Sequence, residues 1–458
     1  MYPNLVKRFF YPIHEQLVNR PTFAYLNELE KTQWLSREAL ERLQMKKLHS
    51  LLQLAYDHSP WHEERIRASG LDVTARRELN FDDLRRLPTM DKADASANRD
   101  RIVWRSVPGG AYQYNTGGSS GQPLIFYFGR KRQAADAATR MRARRWWNVE
   151  VGDPEVFLWG APVELNRTDF VKRIRDRLFN QLLLNAFEMS ESRLSDYLNN
   201  IQSFNPACIY GYASSLSLLA SFAKKRNRVP KLPRLKVVCT TGEPLFPEQR
   251  ALIEEVFDKP VSNEYGCRDG GLVALESPQG QMLVNSETLI VEILDETGRP
   301  VSPGKIGEVV ITNLHSDAQP FIRYRTGDMA RQTDELCRLG RGLNVVAEIM
   351  GRTTDFIVRP DGTIMHALAV IYVLRAIDGV EEFKIVQPTT NRLNVLVVPS
   401  PVWLESAKDE IIRQLRNRMG EDVAIEVDLV DKIPPEASGK YRYVTSHVPL
   451  PGRLEIRS

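Results

Sequence analysis

Three glycines and three hydroxyls crowd one short segment, Thr116-Gly117-Gly118-Ser119-Ser120-Gly121, which follows Tyr114 and Asn115 and runs through Gln122-Pro123 into the apolar stretch Leu124 to Phe128. A loop of that make-up can turn backbone N–H groups and hydroxyls onto phosphate oxygens. No Lys-Ser or Lys-Thr follows the last glycine, so this is not a Walker A loop, and alone the segment reads equally well as a hairpin turn. Further along stand Thr240-Thr241-Gly242-Glu243-Pro244, Asn263-Glu264-Tyr265-Gly266-Cys267-Arg268-Asp269, Arg323-Tyr324-Arg325-Thr326-Gly327-Asp328 and Gly351-Arg352-Thr353-Thr354-Asp355. The last of the series is Ala437-Ser438-Gly439-Lys440-Tyr441-Arg442. Asp328 supplies a carboxylate that can accept from two hydroxyls at once, or else simply closes a turn. Lys440, taken alone, is a solvated surface charge.

In this order and spacing the segments resemble the adenylate-forming superfamily of acyl-CoA synthetases and adenylation domains. The likeness is greatest to its phenylacetate-CoA ligase branch, including the CapK-like subgroup of capsule and polysaccharide biosynthesis, and it runs over roughly residues 20–445. The resemblance implies an enzyme in which a carboxylate attacks the α-phosphorus of ATP, pyrophosphate leaves, and a thiol such as CoA takes the acyl group. Thr116, Gly117, Gly118, Ser119, Ser120 and Gly121 would then clasp the β- and γ-phosphates. Thr241, Gly242, Glu243 and Pro244 would line the adenine, with Tyr265 stacked on the base beside Gly266. Asp328 would hold the ribose, and Arg352 the ribose or phosphate. Asp269 stands where the family usually has Glu and would bind Mg²⁺, while Arg268 replaces the family's common Thr.

Lys440 would bridge the acid and the α-phosphate as charge builds, which requires a small domain to close over a large one about a hinge at Thr354 and Asp355. Trp159, Tyr210 and Tyr212 lie where the family builds its acid pocket, and core packing is their equally weighted alternative. A non-CoA acceptor (an amine, a carrier protein or adenylyl transfer) in polysaccharide or secondary metabolism is the second reading. A nucleotide-binding protein with impaired turnover, suggested by Arg268 and Asp269, is the third.

The elements that must position these residues can be read from the periodicity. Apolar residues from Trp34 to Tyr56 recur at helical spacing behind Ser36, and the first hundred residues read as mostly helical. Short apolar strands at Glu155 to Trp159, Ala207 to Tyr210, Leu235 to Thr240 and Val261 to Asn263 alternate with helices, which predicts an α/β fold with a parallel sheet. Leu289 to Leu294 and Gly307 to Asn313 flank a turn and predict an antiparallel pair in a β-rich subdomain. Beyond Gly351 strands and two helices predict a compact α+β unit. The expected organisation is therefore residues 1–350, an adenylation domain binding ATP and acid, and residues 351–458, a mobile domain carrying Lys440.

The 458 residues are 42% hydrophobic and 26% charged, a globular composition that excludes disorder and collagen-like repeats. Lys and Arg outnumber Asp and Glu by 62 to 58, too little to call for a polyanionic partner, and no nucleic acid is expected. The basic run Arg130, Lys131, Arg132, Arg140, Arg142, Arg144 and Arg145 reads as one solvated face of a half-buried helix. Val171 to Leu183, with Phe170, Ile174, Leu178 and Leu182 in a stripe opposite Lys172, Arg173, Arg175 and Arg177, reads as a second helix. An anionic membrane is the less favoured reading of that stripe, behind core packing. His58 and His62 have a metal-like spacing, but Pro60 divides them and a surface turn is expected; no zinc site is expected. Cys208, Cys239, Cys267 and Cys337 form no CxxC pair and no disulfide framework, which suits the cytoplasm. The apolar run Phe9 to Ile13 is too short for a signal-peptide core, and no run nears the roughly 20 residues of a membrane span.

Overall fold

The computed structural model describes residues 2–74, 77–115, 124–160, 175–186, 189–243, 245–295, 297–349, 356–433 and 443–448. The first hundred described residues are helical where the periodicity demands it. The Arg37–His58 helix buries Leu40, Leu48, Leu51, Leu52 and Ala55, and the Ser36 hydroxyl caps it by accepting from the Ala39 N–H at 3.2 Å. Pro60, with no N–H to give, stops it and opens the next helix, Pro60–Ala68. Of the two histidines flanking this break, His58 is exposed as expected, and only His62 departs from the expected surface position. His58 stacks on Trp104 with ring centroids 3.7 Å apart. His62 is 1% exposed; its Nε2 donates to the Pro320 carbonyl at 3.0 Å and its Nδ1 accepts from Arg65 at 2.9 Å. Both ring nitrogens are satisfied inside the protein, so the ring gains nothing from water.

The glycine-serine segment is flanked by an antiparallel ribbon, β1 (Tyr112–Asn115) and β2 (Ile125–Phe128). The main sheet is built on five parallel strands, β3 (Glu155–Trp159), β4 (Gln181–Asn185), β5 (Cys208–Tyr212), β6 (Val237–Thr241) and β7 (Val261–Cys267), in the spatial order β4-β3-β5-β6-β7. Beyond β7 it continues antiparallel through β8 (Gly271–Glu276), β9 (Met282–Val284) and β13 (Val345–Val346). The strand β4 corrects the helical reading of Val171 to Leu183. Arg175 to Leu178 are helical, but Leu182 and Leu183 pair with Val156 and Phe157 of β3, and Phe170 and 171–174 lie outside the described residues.

Alternation gives the sheet two unlike faces. Val156, Leu158, Ile209 and Val238 point into an apolar core with the helices Glu191–Phe204, Ala213–Lys225 and Pro247–Phe257. The opposite face carries Glu155, Phe157, Trp159, Cys208, Tyr210, Tyr212, Cys239, Thr241 and Glu264, and the Arg130–Trp146 helix lies over it.

That helix overturns the expectation of a solvated basic face. Arg132, Arg142 and Arg144 are all but completely buried. Arg142 pairs with Glu287 at 2.5 Å and donates to Asn285 at 2.9 Å; Arg132 pairs with Asp136 at 2.9 Å and donates to the Asp269 carbonyl at 3.1 Å. A guanidinium survives in an interior only with such partners; Asp136 lies one turn along the same helix, while Glu287, Asn285 and the Asp269 carbonyl lie in the turns that leave β9 and β7.

A second sheet, β10 (Leu289–Leu294), β11 (Ile306–Asn313), β12 (Tyr324–Arg331) and β14 (Glu348–Ile349), is wholly antiparallel and contains the expected pair. Toward the C-terminus β15 (Phe356–Val358) and β16 (Ile364–His366) form a hairpin. A third sheet follows, β17 (Val380–Thr389), β18 (Arg392–Pro399), β19 (Ala424–Leu429) and β20 (Val444–Ser446) in the order β19-β18-β17-β20, with the helices Leu368–Arg375 and Ser406–Met419. The α+β pattern expected there is present.

Burial drives the His62 and His315 imidazoles down to about 3, so both are neutral in the native state. Unfolded histidine titrates near 6.5, so the denatured chain binds protons that the native one refuses. The stabilisation is complete above pH 6.5 and is lost progressively as the pH falls from there toward 3. Urea unfolding measured from pH 7 to pH 4.5 should show a slope from each histidine of about 1.4 kcal/mol per pH unit. His62→Gln should lower the total slope by about one proton's worth; an unchanged slope would contradict the burial argument.

Candidate functional site

Parallel strands leave a crevice beyond their carboxyl ends, sharpest where successive connections depart in opposite directions. Here β3 connects to β4 on one side and β5 connects to β6 on the other, so the reversal lies between β3 and β5. Trp159 ends β3 and Tyr212 ends β5, and their rings stack with centroids 4.3 Å apart at 17°. Thr241 ends β6 and leads into Gly242, whose φ of +78° suits glycine and where a Cβ would come within 3.1 Å of the Tyr212 ring. The β7 strand ends in Tyr265, Gly266 and Cys267, and the turn through Arg268 and Asp269 returns the chain into β8. Two of the expected segments and the expected aromatic residues thus meet at four strand ends along one edge of the sheet.

Beneath that edge lies a buried polar network. Glu264, 4% exposed, accepts from the Tyr210 hydroxyl at 2.7 Å and from the Thr241 hydroxyl at 3.1 Å, and Arg140 Nε stands 3.6 Å from its other oxygen. Burial and the adjoining Glu264 carboxylate hold the Tyr210 phenol above its ordinary value. The guanidinium of Arg144 lies over the Tyr210 ring, 5.0 Å from its centroid, and donates to Cys239 Sγ at 2.8 Å. Cys208 and Cys239 approach to 3.7 Å. Burial pushes the Cys239 thiol up, but the Cys208 S–H and Arg144 outweigh it and bring it below its ordinary value.

Two hydrogen bonds join this edge to the rest of the molecule. Arg268 donates to the Asn115 carbonyl at 3.0 Å, and Asn115 is the last residue before the glycine-serine segment. Tyr265 donates to Asp328 Oδ2 at 3.0 Å, crossing from the main sheet to β12. Burial and that carboxylate hold the Tyr265 phenol well above its usual range. Leu124 and Phe126, on the other side of the segment, pack in the same cluster as Tyr265, Cys267 and Tyr324. The residues bounding the glycine-serine segment and the Asp328 carboxylate therefore lie on one side of the protein.

The expected residues do not all present their side chains in the same way. Glu243 gives its carboxylate to the N-terminus of the Ala213–Lys225 helix, accepting from Ser214 N–H at 3.1 Å and Ser214 Oγ at 2.9 Å. Its side chain is thereby committed to the helix start. Tyr210 is held under the Trp159 ring, with centroids 5.7 Å apart, so Trp159 is the half-open member of the aromatic trio. Asp269 is 7% exposed; it accepts from Tyr324 Oη at 2.5 Å and from its own Gly270 N–H at 3.2 Å. Among the described residues there is no group of three or more His, Cys, Asp and Glu side chains placed to hold a metal ion. Thr116 to Gly121, Pro244, Arg352, Thr354, Asp355 and Lys440 lie outside the described residues.

Sequence reasoning missed Glu264, Arg140, Arg144 and Tyr324 as parts of this site. For Glu264 a signal was available. It precedes Tyr265 in a strand, so it must face the opposite way, toward the polar side of the sheet.

A family model described as the CapK C-terminal domain matches residues 357–447. Protein CapK of Staphylococcus aureus is 22% identical over 418 residues, covering 89% of this chain and 90% of that one. The phenylacetate-coenzyme A ligase of Thermus thermophilus is 26% identical over 355 residues, covering 73% and 74%. Among solved structures, 2-hydroxyisobutyryl-CoA ligase in its postadenylation state matches with a TM-score of 0.59 at 20% identity, covering 90% of each chain. The chain has the α/β fold of the adenylate-forming ligases. Its relatives include CapK and the phenylacetate-CoA ligases, and residues 357–447 match the CapK C-terminal domain.

Tyr210→Phe removes the shorter of the two hydroxyl bonds to a buried carboxylate and should cost about 1–3 kcal/mol in urea unfolding. An unfolding midpoint equal to that of the wild type would mean that Thr241 and Arg140 suffice to hold Glu264.

Proposed function

We propose that this protein is an ATP-dependent, AMP-forming ligase that activates a carboxylic acid as its adenylate and passes the acyl group to a thiol such as CoA. The observation that carries this reading is the tie of Asn115 to Arg268 and of Tyr265 to Asp328, which gathers three separated stretches of chain at the carboxyl edge of the sheet. In this reading Thr116 to Gly121 receive the β- and γ-phosphates, where donors already aimed at developing charge need no reorganisation. Asp328, steadied by Tyr265, takes the ribose, with Arg352 reaching the ribose or phosphate. The backbone at Gly242 and Glu243, with Thr241 and Pro244, borders the adenine. Trp159 at the strand reversal offers a flat apolar wall to an aryl or modest acyl group, with Tyr212 stacked on it and Tyr210 supporting it from beneath.

Mg²⁺ would bind through Asp269 together with the oxygens of ATP itself, as one carboxylate plus substrate phosphates suffices for this ion. Its chemistry would be to neutralise the phosphates. The donor set is compatible with that role, because among the described residues Asp269 Oδ1 accepts one long, 3.2 Å bond, from Gly270.

Arg268, in place of the family's Thr, reads as a brace for the phosphate segment through Asn115 rather than as a lesion. Residues 351–458 would form the moving domain, turning about Thr354 and Asp355 to bring Lys440 to the α-phosphate and then to admit the thiol. The solved 2-hydroxyisobutyryl-CoA ligase is described in an open conformation, a postadenylation state and a thioesterification state, which supports reading the same cycle here.

A library of carboxylic acids screened with ATP, Mg²⁺ and CoA should reveal acid-dependent pyrophosphate release. Silence with every acid, together with no Mg²⁺-dependent exchange of labelled pyrophosphate into ATP, would overturn the reading. Lys440→Ala should slow adenylate formation by roughly 10²-fold or more while ATP affinity changes by less than about threefold. Equal losses in both would remove Lys440 from its assigned role.

A further inference from the structure

The N-terminal segment carries an apolar stripe that no part of the proposed chemistry uses. Residues Tyr2–Leu5, Val6–Phe10 and Tyr11–Leu17 are helical in unbroken succession. Pro12 cannot donate a backbone hydrogen bond, and the turn before it is widened, with the Tyr11 N–H reaching back to the Val6 carbonyl. The inner side of the helix is firmly packed. Val6 is fully buried, the Tyr11 ring stacks on Phe179 at 4.7 Å, and Glu15 is 2% exposed and accepts from both Arg20 and Thr22.

The outer side is the reverse of what a soluble surface ordinarily shows. Leu5, Phe9, Ile13 and Leu17, spaced four apart and so on one face, are 40, 54, 51 and 79% exposed. The stripe continues onto a second element, because Tyr2 Oη donates to the carbonyls of Arg177 and Leu178, and Leu178 is 45% exposed. Its border is basic. Arg8, Arg175 and Arg177 are exposed, while Glu15 is buried against Arg20, and Asp176 pairs with Arg175 at 2.6 Å.

We propose that this face docks on the surface of an anionic lipid bilayer, with the helix lying in the plane of the interface and its stripe among the upper acyl carbons. The charge pattern selects this occupant. Exposed large apolar side chains rimmed by arginines complement acidic headgroups over hydrocarbon. A second copy meeting the first across a two-fold axis would set Arg8 and Arg177 against themselves. Spanning is not implied, since no described helix is long and apolar enough to cross a membrane. The docking stands apart from the ligase reading, and pyrophosphate release and vesicle binding can fail independently.

The test is flotation of the full chain with phosphatidylcholine vesicles, with and without about one third phosphatidylglycerol. Wild type should float with the acidic vesicles and be released by high salt. Phe9→Ser combined with Ile13→Ser, both exposed and so expected to leave the thermal midpoint unchanged, should reduce partitioning roughly tenfold or more. Arg8→Glu should reduce it less, and with the acidic vesicles alone. Wild-type protein that stays with the vesicle-free fraction, or a double-serine variant that floats as well as wild type, would overturn the proposal. So would a wild-type dimer that the double-serine substitution turns into a monomer in sedimentation, which would assign the stripe to a second copy.

Discussion

A guanidinium group withdrawn from water must find carboxylates, carbonyls or other acceptors at hydrogen-bonding range, or it costs several kcal/mol. The Arg130–Trp146 helix takes three such groups into the interior between the two large sheets, where each is met through part of its fork, while Arg132 Nη2, Arg142 Nε and Arg144 Nη2 find no partner among the described residues. Arg142 meets Glu287 and Asn285 at one end; Arg132 meets Asp136 and the Asp269 carbonyl at the other. Arg144 meets Glu155 and Cys239, and Arg140 meets Glu264. Each acceptor belongs to a strand, a turn between strands or the helix itself. The helix therefore fixes how the main sheet stands relative to the chain segments that bound the site, and breaking any fully buried member would cost about 3–5 kcal/mol by stranding its partner.

The polar face of the sheet follows from this. A parallel sheet covered on both sides is ordinarily apolar on both, yet here one face carries Glu155, Cys208, Tyr210, Cys239, Thr241 and Glu264. Those side chains are the acceptors and rings that the arginines require, and the network holds Tyr210 and Thr241 rigidly through Glu264. The consequence reaches the strand ends. Trp159 stacks on the held Tyr210 and on Tyr212, so the aromatic wall at the strand reversal rests on a hydrogen-bonded floor rather than on adaptable aliphatic packing.

Much of this was legible in the sequence, and the failures have physical causes. The strands β3, β5, β6 and β7 announce themselves as short apolar runs between helical stretches, and the order of the motifs places them at successive strand ends. The strand β4 hides because Leu178 and Leu182 are spaced as well for a helix as any residues on it, and only pairing with β3 decides the matter. Burial of Arg132 and Arg142 could not be read locally, since charge on a helix normally signals solvent and the compensating Glu287 and Asp269 are distant in sequence. His62 misleads for the same reason: its partner, the Pro320 carbonyl, lies far along the chain.

The bond between Tyr265 and Asp328 explains why the site needs two sheets. A carboxylate on an edge-proximal strand of the second sheet would otherwise sweep a wide arc on its own rotamers, and ordering it only when a ligand arrives would subtract from affinity. Tyr265 removes that freedom in advance, because its half-buried ring packs against the core and its hydroxyl fixes one carboxylate oxygen. Tyr324 does the same for Asp269, from β12 back to the β7–β8 turn. The two tyrosines reach in opposite directions across one gap, each steadying an acid on the facing sheet. A shift of either sheet would disturb both carboxylates together, so relative sheet position, which the arginine helix sets, is the variable that controls the geometry of the site.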